Sequence, residues 1–328
     1  MPMEMIKPRL VVWICTSKCN LNCIHCYTRG RFPSRELDTD KALKLIDEIA
    51  KLEPRHVSFT GGEPLLRKDI FTLLERANEY DFSKDVVTNS TIITREVAKK
   101  LYELDVNVII SLDAASKETY MKMRGWKWEK ALEAVKILAE EGVYFTIIMT
   151  ITKLNIHEIS KFIELNKEHE AGHATLIPII PVRKETVPLM PSRDEMLKAL
   201  KDIKETAEEH RYPVSLWCAP FAKAFIKSKY VFIGSCIGAG LDIDPLGDVL
   251  LCDTLDERIA NIWRDGIENA WRKVLEHPLN NTQKTVEELQ PPCSQCPYKY
   301  KCRGGCKARA LLINGSFNAQ DPLCPIQQ

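Results

Sequence analysis

The chain has no surplus of either charge: 46 Lys and Arg stand against 45 Asp and Glu, a net charge of +1. Phosphate-binding surfaces are built from an excess of cationic side chains, so no nucleic-acid partner is expected. Long hydrophobic runs are missing as well. The start, MPMEMIKPRLVVWIC, has no apolar stretch able to span a bilayer, no basic segment ahead of an apolar one and no small-residue cleavage site. The expectation is a cytoplasmic protein with no membrane partner. With 328 residues the chain can bury a full core, in one large domain or one domain with an appendage.

Cysteine is absent from residues 27 to 217, although the chain has twelve. Cys15, Cys19, Cys23 and Cys26 precede the gap. Cys218, Cys236, Cys252, Cys293, Cys296, Cys302, Cys306 and Cys324 follow it. A secreted disulfide scaffold would be small and would carry an export signal. Two dense groups in a large cytosolic chain point instead to thiolate ligands for metal or iron–sulfur clusters.

The cysteine-free stretch is regular. Short β-branched runs predict strands at Leu10 to Ile14, Val57 to Thr60, Asp85 to Thr88, Val106 to Leu112, Tyr144 to Ile151 and Ala174 to Pro181. Amphipathic spacing predicts helices between them, at Thr39 to Leu52, Asp69 to Tyr80, Arg95 to Leu104, Trp128 to Glu141 and Ile156 to Glu168. Thr39 and Asp40 offer an N-cap for the first helix, and Gly142 is placed to end a later one. Alternating strands and helices imply parallel βαβ units with right-handed crossovers, hence an α/β fold with an incomplete barrel or an open curved sheet. Reactive groups in such sheets gather at the carboxyl ends of the strands. Here those ends hold Cys19 to Cys26, Gly61-Gly62-Glu63-Pro64, Thr88-Asn89-Ser90 and Ser111-Leu112-Asp113.

Cys19, Cys23 and Cys26 lie on one loop with the spacing C-x3-C-x2-C. Three thiolates hold three irons of a 4Fe-4S cluster and leave the fourth iron open to a ligand that is not protein, whereas an electron-transfer ferredoxin uses four. Cys15 precedes the loop, at the end of the first strand, and reads as a small buried hydrophobe.

This cysteine motif after the first strand, GGEP after the second, TN after the third and SLD after the fourth together resemble the radical S-adenosylmethionine (radical SAM) superfamily, over roughly residues 8 to 180. The resemblance implies a partial (β/α)6 barrel in which SAM chelates the open iron and is reductively cleaved to methionine and a 5′-deoxyadenosyl radical. It implies that Gly61 and Gly62 let the backbone approach the methionine end of SAM, and that Glu63 accepts from the SAM ammonium. Asn89, Ser111 and Asp113 would contact SAM ribose or carboxylate, unless they are turn formers only. Arg124 stands where an Arg-Gly pair meets the SAM carboxylate in many members; the other reading is a solvated surface arginine. Asn89 is followed by Ser90 rather than the glycine usual in the family, which leaves the loop path open.

The later cysteines carry a second signature. Cys236-x10-Gly247-x4-Cys252, then Cys293-x2-Cys296-x5-Cys302-x3-Cys306-x17-Cys324, resembles the SPASM extension of radical SAM enzymes. That resemblance implies two auxiliary 4Fe-4S clusters, the nearer on Cys236, Cys252 and Cys306, the farther on Cys293, Cys296, Cys302 and Cys324. Either Cys218 closes the nearer cluster or one of its irons stays open. The competing reading of the tail is structural zinc. Metal would then supply folding energy to a segment otherwise poor in apolar core. The implied division is a core at 1–182, bridging helices at 183–235 and the auxiliary-cluster domain at 236–328. Asp253, directly after Cys252, is a catalytic base in some relatives and a loop or capping residue otherwise.

The leading expectation is a maturase acting on a peptide or protein by C–H abstraction followed by oxidation or cross-linking, fed by a low-potential donor such as ferredoxin or flavodoxin. Only residues 1–9 precede the first predicted strand, so no peptide-docking domain is expected there. Tetrapyrrole side-chain modification in haem synthesis, or maturation of a tungsten or molybdenum cofactor, is the alternative with a small-molecule substrate. A non-enzymatic electron-transfer or zinc module is the reading from a different class.

Overall fold

Strand β1 (Leu10–Thr16) is buried along nearly its whole length, with Val11, Trp13, Ile14 and Cys15 wholly inaccessible. A strand covered on both faces reads as a continuous apolar run rather than an alternating one. The computed structural model describes residues 6–235 and 240–326. From β1 the sheet continues through β2 (His56–Gly61), β3 (Ser83–Thr88), β4 (Val106–Ser111), β5 (Phe145–Ile151) and β6 (Ala174–Pro178), each parallel to its neighbour. The crossovers carry α1 (Thr39–Lys51), α2 (Ile70–Ala77), α3 (Arg95–Glu103), α4 (Lys117–Arg124), α5 (Trp128–Glu140) and α6 (Ile159–Glu168). Helix α1 turns Ala42, Leu45, Ile46 and Ile49 to the sheet, and burying each larger side chain contributes about 1.5–3 kcal/mol. Its N-cap is Asp38, whose carboxylate accepts from Lys41 N at 2.9 Å, rather than the expected Thr39 or Asp40. Gly142 follows α5 at φ +73°, the left-handed turn that ends a helix.

The sheet is larger than the predicted six strands. Its order is β11-β10-β9-β1-β2-β3-β4-β5-β6-β7-β8, and it does not close. The segment read as bridging helices contains α7 (Arg193–Glu209), but also β7 (Val214–Leu216) and β8 (Val231–Ile233), which prolong the sheet beyond β6. At the other edge β9 (Gly240–Ile243) pairs in parallel with β1, β10 (Asp248–Leu250) adds antiparallel to β9, and β11 (Arg258–Asn261) adds antiparallel to β10. Three- and four-residue strands are too short to show alternation, which is why pattern reading passes over them.

Helices α8 (Ile262–Asp265), α9 (Ile267–Glu276), α10 (Thr282–Glu287), α11 (Lys299–Cys302) and α12 (Lys307–Asn314) complete the tail. The tail is not poor in apolar core throughout, as the sequence suggested. Ile262, Ile267, Ala270, Trp271, Val274 and Leu323 belong to the same buried cluster as the barrel strands. Among the described residues no helix is long and apolar enough to cross a membrane.

Candidate active site and metal centres

The loop of Cys19, Cys23 and Cys26 leaves β1 and is fastened at once to the end of β2. Gly62 N donates to Thr16 O and Glu63 N to Lys18 O, both at 2.8 Å. A Cβ at Gly61 would lie 2.1 Å from Thr16 O, and one at Gly62 2.1 Å from Lys18 O. Both glycines are therefore required by close approach to the backbone at the end of β1 and the start of the cysteine loop. Glu63 is fully buried. Its Oε1 accepts from Thr88 Oγ1 at 2.8 Å and Leu65 N at 3.1 Å, and its Oε2 from Asn89 N at 2.7 Å. Burial raises this carboxyl to about 7 despite those donors. Three donors leave room for a fourth on a carboxylate.

Asn89 holds the loop from its far side. Its amide donates to Asn20 Oδ1 at 3.0 Å and approaches Cys19 Sγ at 3.6 Å, while its own oxygen accepts from Thr91 N. Ser90, in the position of the missing glycine, takes φ +66° and continues the turn. Ser111 ends β4, half-buried.

Arg124 is buried, not a solvated surface residue. It reaches Asp113 with Nε and Nη2, both at 2.6 Å, and extends Nη1 to 3.8 Å from Cys23 Sγ. Asp113 also meets His25 Nε2 at 2.9 Å and accepts from Thr150 N at 2.5 Å. Burial alone would raise the Asp113 carboxyl, but Arg124 and His25 hold it well below the ordinary range. Cys23 is pushed up to about 11 by burial, with Arg124 acting in the opposite sense. Helix α4 delivers Arg124, and the bond from Ile24 N to Met123 O at 3.0 Å ties that helix to the loop. Cys15 stands apart, wholly buried with Sγ 3.4 Å from Thr60 O.

In the tail, Cys218, Cys252 and Cys306 gather in one small core with Leu251, Leu255 and Ala308. Burial lifts the Cys218 thiol well above its ordinary value, and the neighbouring Cys306 adds to the effect. Cys218 has φ +50°, a left-handed conformation that costs a non-glycine residue on the order of 1 kcal/mol or more. Cys236 lies outside the described residues. Cys293, Cys296, Cys302 and Cys324 line a single pocket. Burial raises Cys293 to about 11 and Cys302 to about 12, and neighbouring thiols push the same way.

Asp253 joins the two halves of the site. Its carboxylate lies 3.6 Å from Cys252 Sγ. Its N–H donates to Asp242 Oδ2 at 2.8 Å. Burial raises both carboxyls, Asp242 the more, with the charge of Asp253 adding to it. Arg31 Nη1 spans the same gap, donating to Tyr27 O at 3.3 Å and Asp253 O at 2.8 Å. Asp242, Tyr27 and Arg31 went unread in the sequence. The one available signal was a tyrosine directly after the third loop cysteine.

The sequence profile described as Radical SAM superfamily matches residues 13–166. A mycofactocin maturase of Mycolicibacterium smegmatis is 30% identical over 97% of this chain and 82% of its own length. The chain belongs to the radical SAM superfamily. An AdoMet-dependent heme synthase of Methanosarcina barkeri is 28% identical over 97% of this chain and 96% of its own length. Among solved structures, Streptococcus suis SuiB bound to its precursor peptide SuiA superposes with a TM-score of 0.76 at 16% identity, covering 98% of this chain and 76% of that one. AnSMEcpe with bound AdoMet gives 0.74 at 22%, over 96% and 94%. The likeness to these structures is one of fold, which in this chain is an unclosed, largely parallel sheet.

This radical SAM enzyme binds a 4Fe-4S cluster and SAM, and its donor groups fit them. Three thiols share one loop, and a guanidinium faces Cys23 to offset the charge of a thiolate. Four thiols around one pocket are the donor set of a fully ligated cluster, so the tail fits auxiliary clusters as well.

Proposed function

We propose that the protein abstracts hydrogen from a substrate C–H bond and oxidises or cross-links the product, with a peptide or protein as the leading substrate class. The carrying observation is Arg31 Nη1, which donates both to Tyr27 O, directly after the first loop's Cys26, and to Asp253 O, directly after Cys252. It ties a half-buried carboxylate to both the SAM-cleaving loop and the nearer auxiliary thiols. The loop thiols would hold the cluster that with SAM supplies the radical, and the tail thiols would hold clusters able to supply an electron acceptor. The chain's own residues do the rest. Glu63 accepts from the SAM ammonium with its remaining lone pair. Arg124 neutralises the loop at Cys23. Asp253 takes the substrate proton that leaves with oxidation, its burial making it a better base than an ordinary carboxylate. Cys218 supplies the fourth thiolate of the nearer site, which its place beside Cys252 and Cys306 supports. A ferredoxin or flavodoxin is the reductant that suits such a site.

The peptide reading draws support from the mycofactocin maturase and from SuiB with its precursor peptide. Tetrapyrrole modification is the second reading, favoured by the heme synthase of M. barkeri, which matches nearly end to end. Anaerobic incubation with SAM, dithionite and each substrate class in turn separates them. The true class accelerates 5′-deoxyadenosine formation and changes mass stoichiometrically. Absence of 5′-deoxyadenosine under every condition would return the protein to the electron-transfer reading.

A further inference from the structure

From His210 to Leu241, and again from Leu289 to Gln320, the chain carries no Asp or Glu. The near-zero net charge conceals this, because it averages over the whole molecule. Lys223, Lys227 and Lys229 stand in the first run, and Lys299, Lys301 and Arg303 in the second. The fold brings the two runs together. Helix α11, which holds Lys299 and Lys301, packs against the short 3-10 helix Pro220–Ala224, which holds Lys223. Both elements line the pocket of the four farther thiols, one with Lys299, the other with Phe221 and Ala224. Lys227, Lys229 and Lys301 are exposed, and Tyr300, between two of the cations, keeps 57% of its surface in water.

Lysines elsewhere on the surface have acidic partners: Lys51 pairs with Glu48, Lys117 with Glu129 and Lys130 with Glu133. Here Lys299 Nζ donates to Ser294 O at 2.8 Å and Lys223 Nζ to Ser235 Oγ at 3.4 Å. Among the described residues no carboxylate lies within 4.0 Å of Lys223, Lys227, Lys229, Lys299 or Lys301. Like charges gathered without counter-charges repel one another and attract a partner of opposite sign. The centre of this face is a thiol site: Cys296 and Cys302 are only half-buried in the pocket, whereas Cys306 of the nearer site is buried. A substrate must reach the SAM-cleaving loop, which Arg31 ties to Asp253 and not to this pocket. Electron-transfer encounters are small and transient, and complementary charge speeds them more than it tightens them. We propose that this cationic face is the docking surface for an acidic one-electron carrier protein of the flavodoxin or ferredoxin class. The proposal rests on the reading that Cys293, Cys296, Cys302 and Cys324 hold a 4Fe-4S cluster. One electron leaves that cluster in its reduced state, returning it to the oxidised state, and reduces the flavin or iron centre of the oxidised carrier.

The test uses the full chain with its metal loaded, and iron, sulfide and zinc are measured first. Binding to an acidic flavodoxin, and in parallel to an acidic 2Fe-2S ferredoxin, is followed by anaerobic calorimetry. At least one carrier should bind, and more weakly as the screening length contracts from about 30 Å at 0.01 M salt to about 8 Å at 0.15 M. Lys227→Glu with Lys229→Glu, and separately Lys299→Glu with Lys301→Glu, should each weaken binding by on the order of tenfold or more. Lys41→Glu with Lys44→Glu, the same change of charge at exposed lysines of α1 outside both runs, should leave it unchanged. For the electron itself, protein with Cys19, Cys23 and Cys26 replaced by Ala is reduced, freed of reductant and mixed with oxidised flavodoxin. Flavin semiquinone should form with the same dependence on salt and charge. If the Lys299 and Lys301 variant fails to load iron, the Lys227 and Lys229 variant decides. Absence of binding by both carriers, or binding and transfer indifferent to these charges, overturns the proposal and leaves the cluster reading standing. Poly-glutamate binding that the variants lose while carrier binding persists assigns the face to an acidic peptide and also overturns it. Zinc in place of iron in the tail overturns the cluster reading, and the proposal with it.

Discussion

A methyl group at position 62 has nowhere to go but into the Lys18 carbonyl, which belongs to backbone and cannot swing aside. Gly62→Ala should therefore cost roughly 1–3 kcal/mol, as overpacking does, and weaken SAM binding together with stability. Unchanged denaturation and unchanged SAM affinity would show that the loop yields without cost. Glu63 offers a sharper measurement. Burial sets its carboxyl at about 7 before SAM arrives, so below that pH it holds a proton and cannot accept from the ammonium. SAM affinity should rise nearly tenfold per unit as pH climbs toward 7 and level off above it, with proton release on binding. Calorimetry in two buffers of different ionisation enthalpy reads that proton. Glu63→Gln should abolish the slope, and a slope that persists assigns the proton elsewhere. For Asp253, replacement by Asn should leave 5′-deoxyadenosine formation intact and slow product formation by about a hundredfold or more. Equal product turnover removes Asp253 from catalysis.

At the scale of elements, the six barrel strands and most of their helices were legible, because buried parallel strands and one-sided helices impose periods that a single sequence displays. Helix α4 was not. Its sequence KETYMKMR has a weak apolar face, and only its brackets, Ser116 capping Thr119 N and Gly125 at φ +67°, announce it. Missing α4 meant missing how Arg124 comes to face Cys23 rather than solvent. The SAM-site motifs were legible as a set, but their wiring was not. Asp113 meets His25 and Arg124 from separate elements, and no spacing along the chain records such a meeting. The cysteine loop is nevertheless one functional element. Replacing Cys19, Cys23 and Cys26 together by Ala should abolish SAM cleavage while leaving the tail's iron in place. Cleavage that survives would show that the open-iron site lies elsewhere.

In the whole molecule, the tail is divided between two kinds of support. Strands β9 to β11 prolong the barrel sheet and α9 packs into the barrel's core, so this part has a hydrophobic reason to stay folded. The stretch from Cys293 to Cys324 has short helices, gives the barrel's core little beyond Leu323 and Cys324, and otherwise rests on a small satellite core, while burial raises the thiols of Cys293, Cys302 and Cys324. Metal removal should therefore act unevenly. Stripping the clusters should expose residues 293–324 to rapid hydrogen exchange, while β1 to β6 and β9 keep their protection. Uniform loss of protection would show that the clusters hold the barrel too. The metal that is stripped matters as much as the response. Three 4Fe-4S sites give about twelve irons per chain, and the loop triple variant should lose about four of them. Roughly four irons with about two zincs would make the tail a structural zinc domain. Asp253 would then lie beside a centre that takes no electrons, and substrate oxidation would need another acceptor.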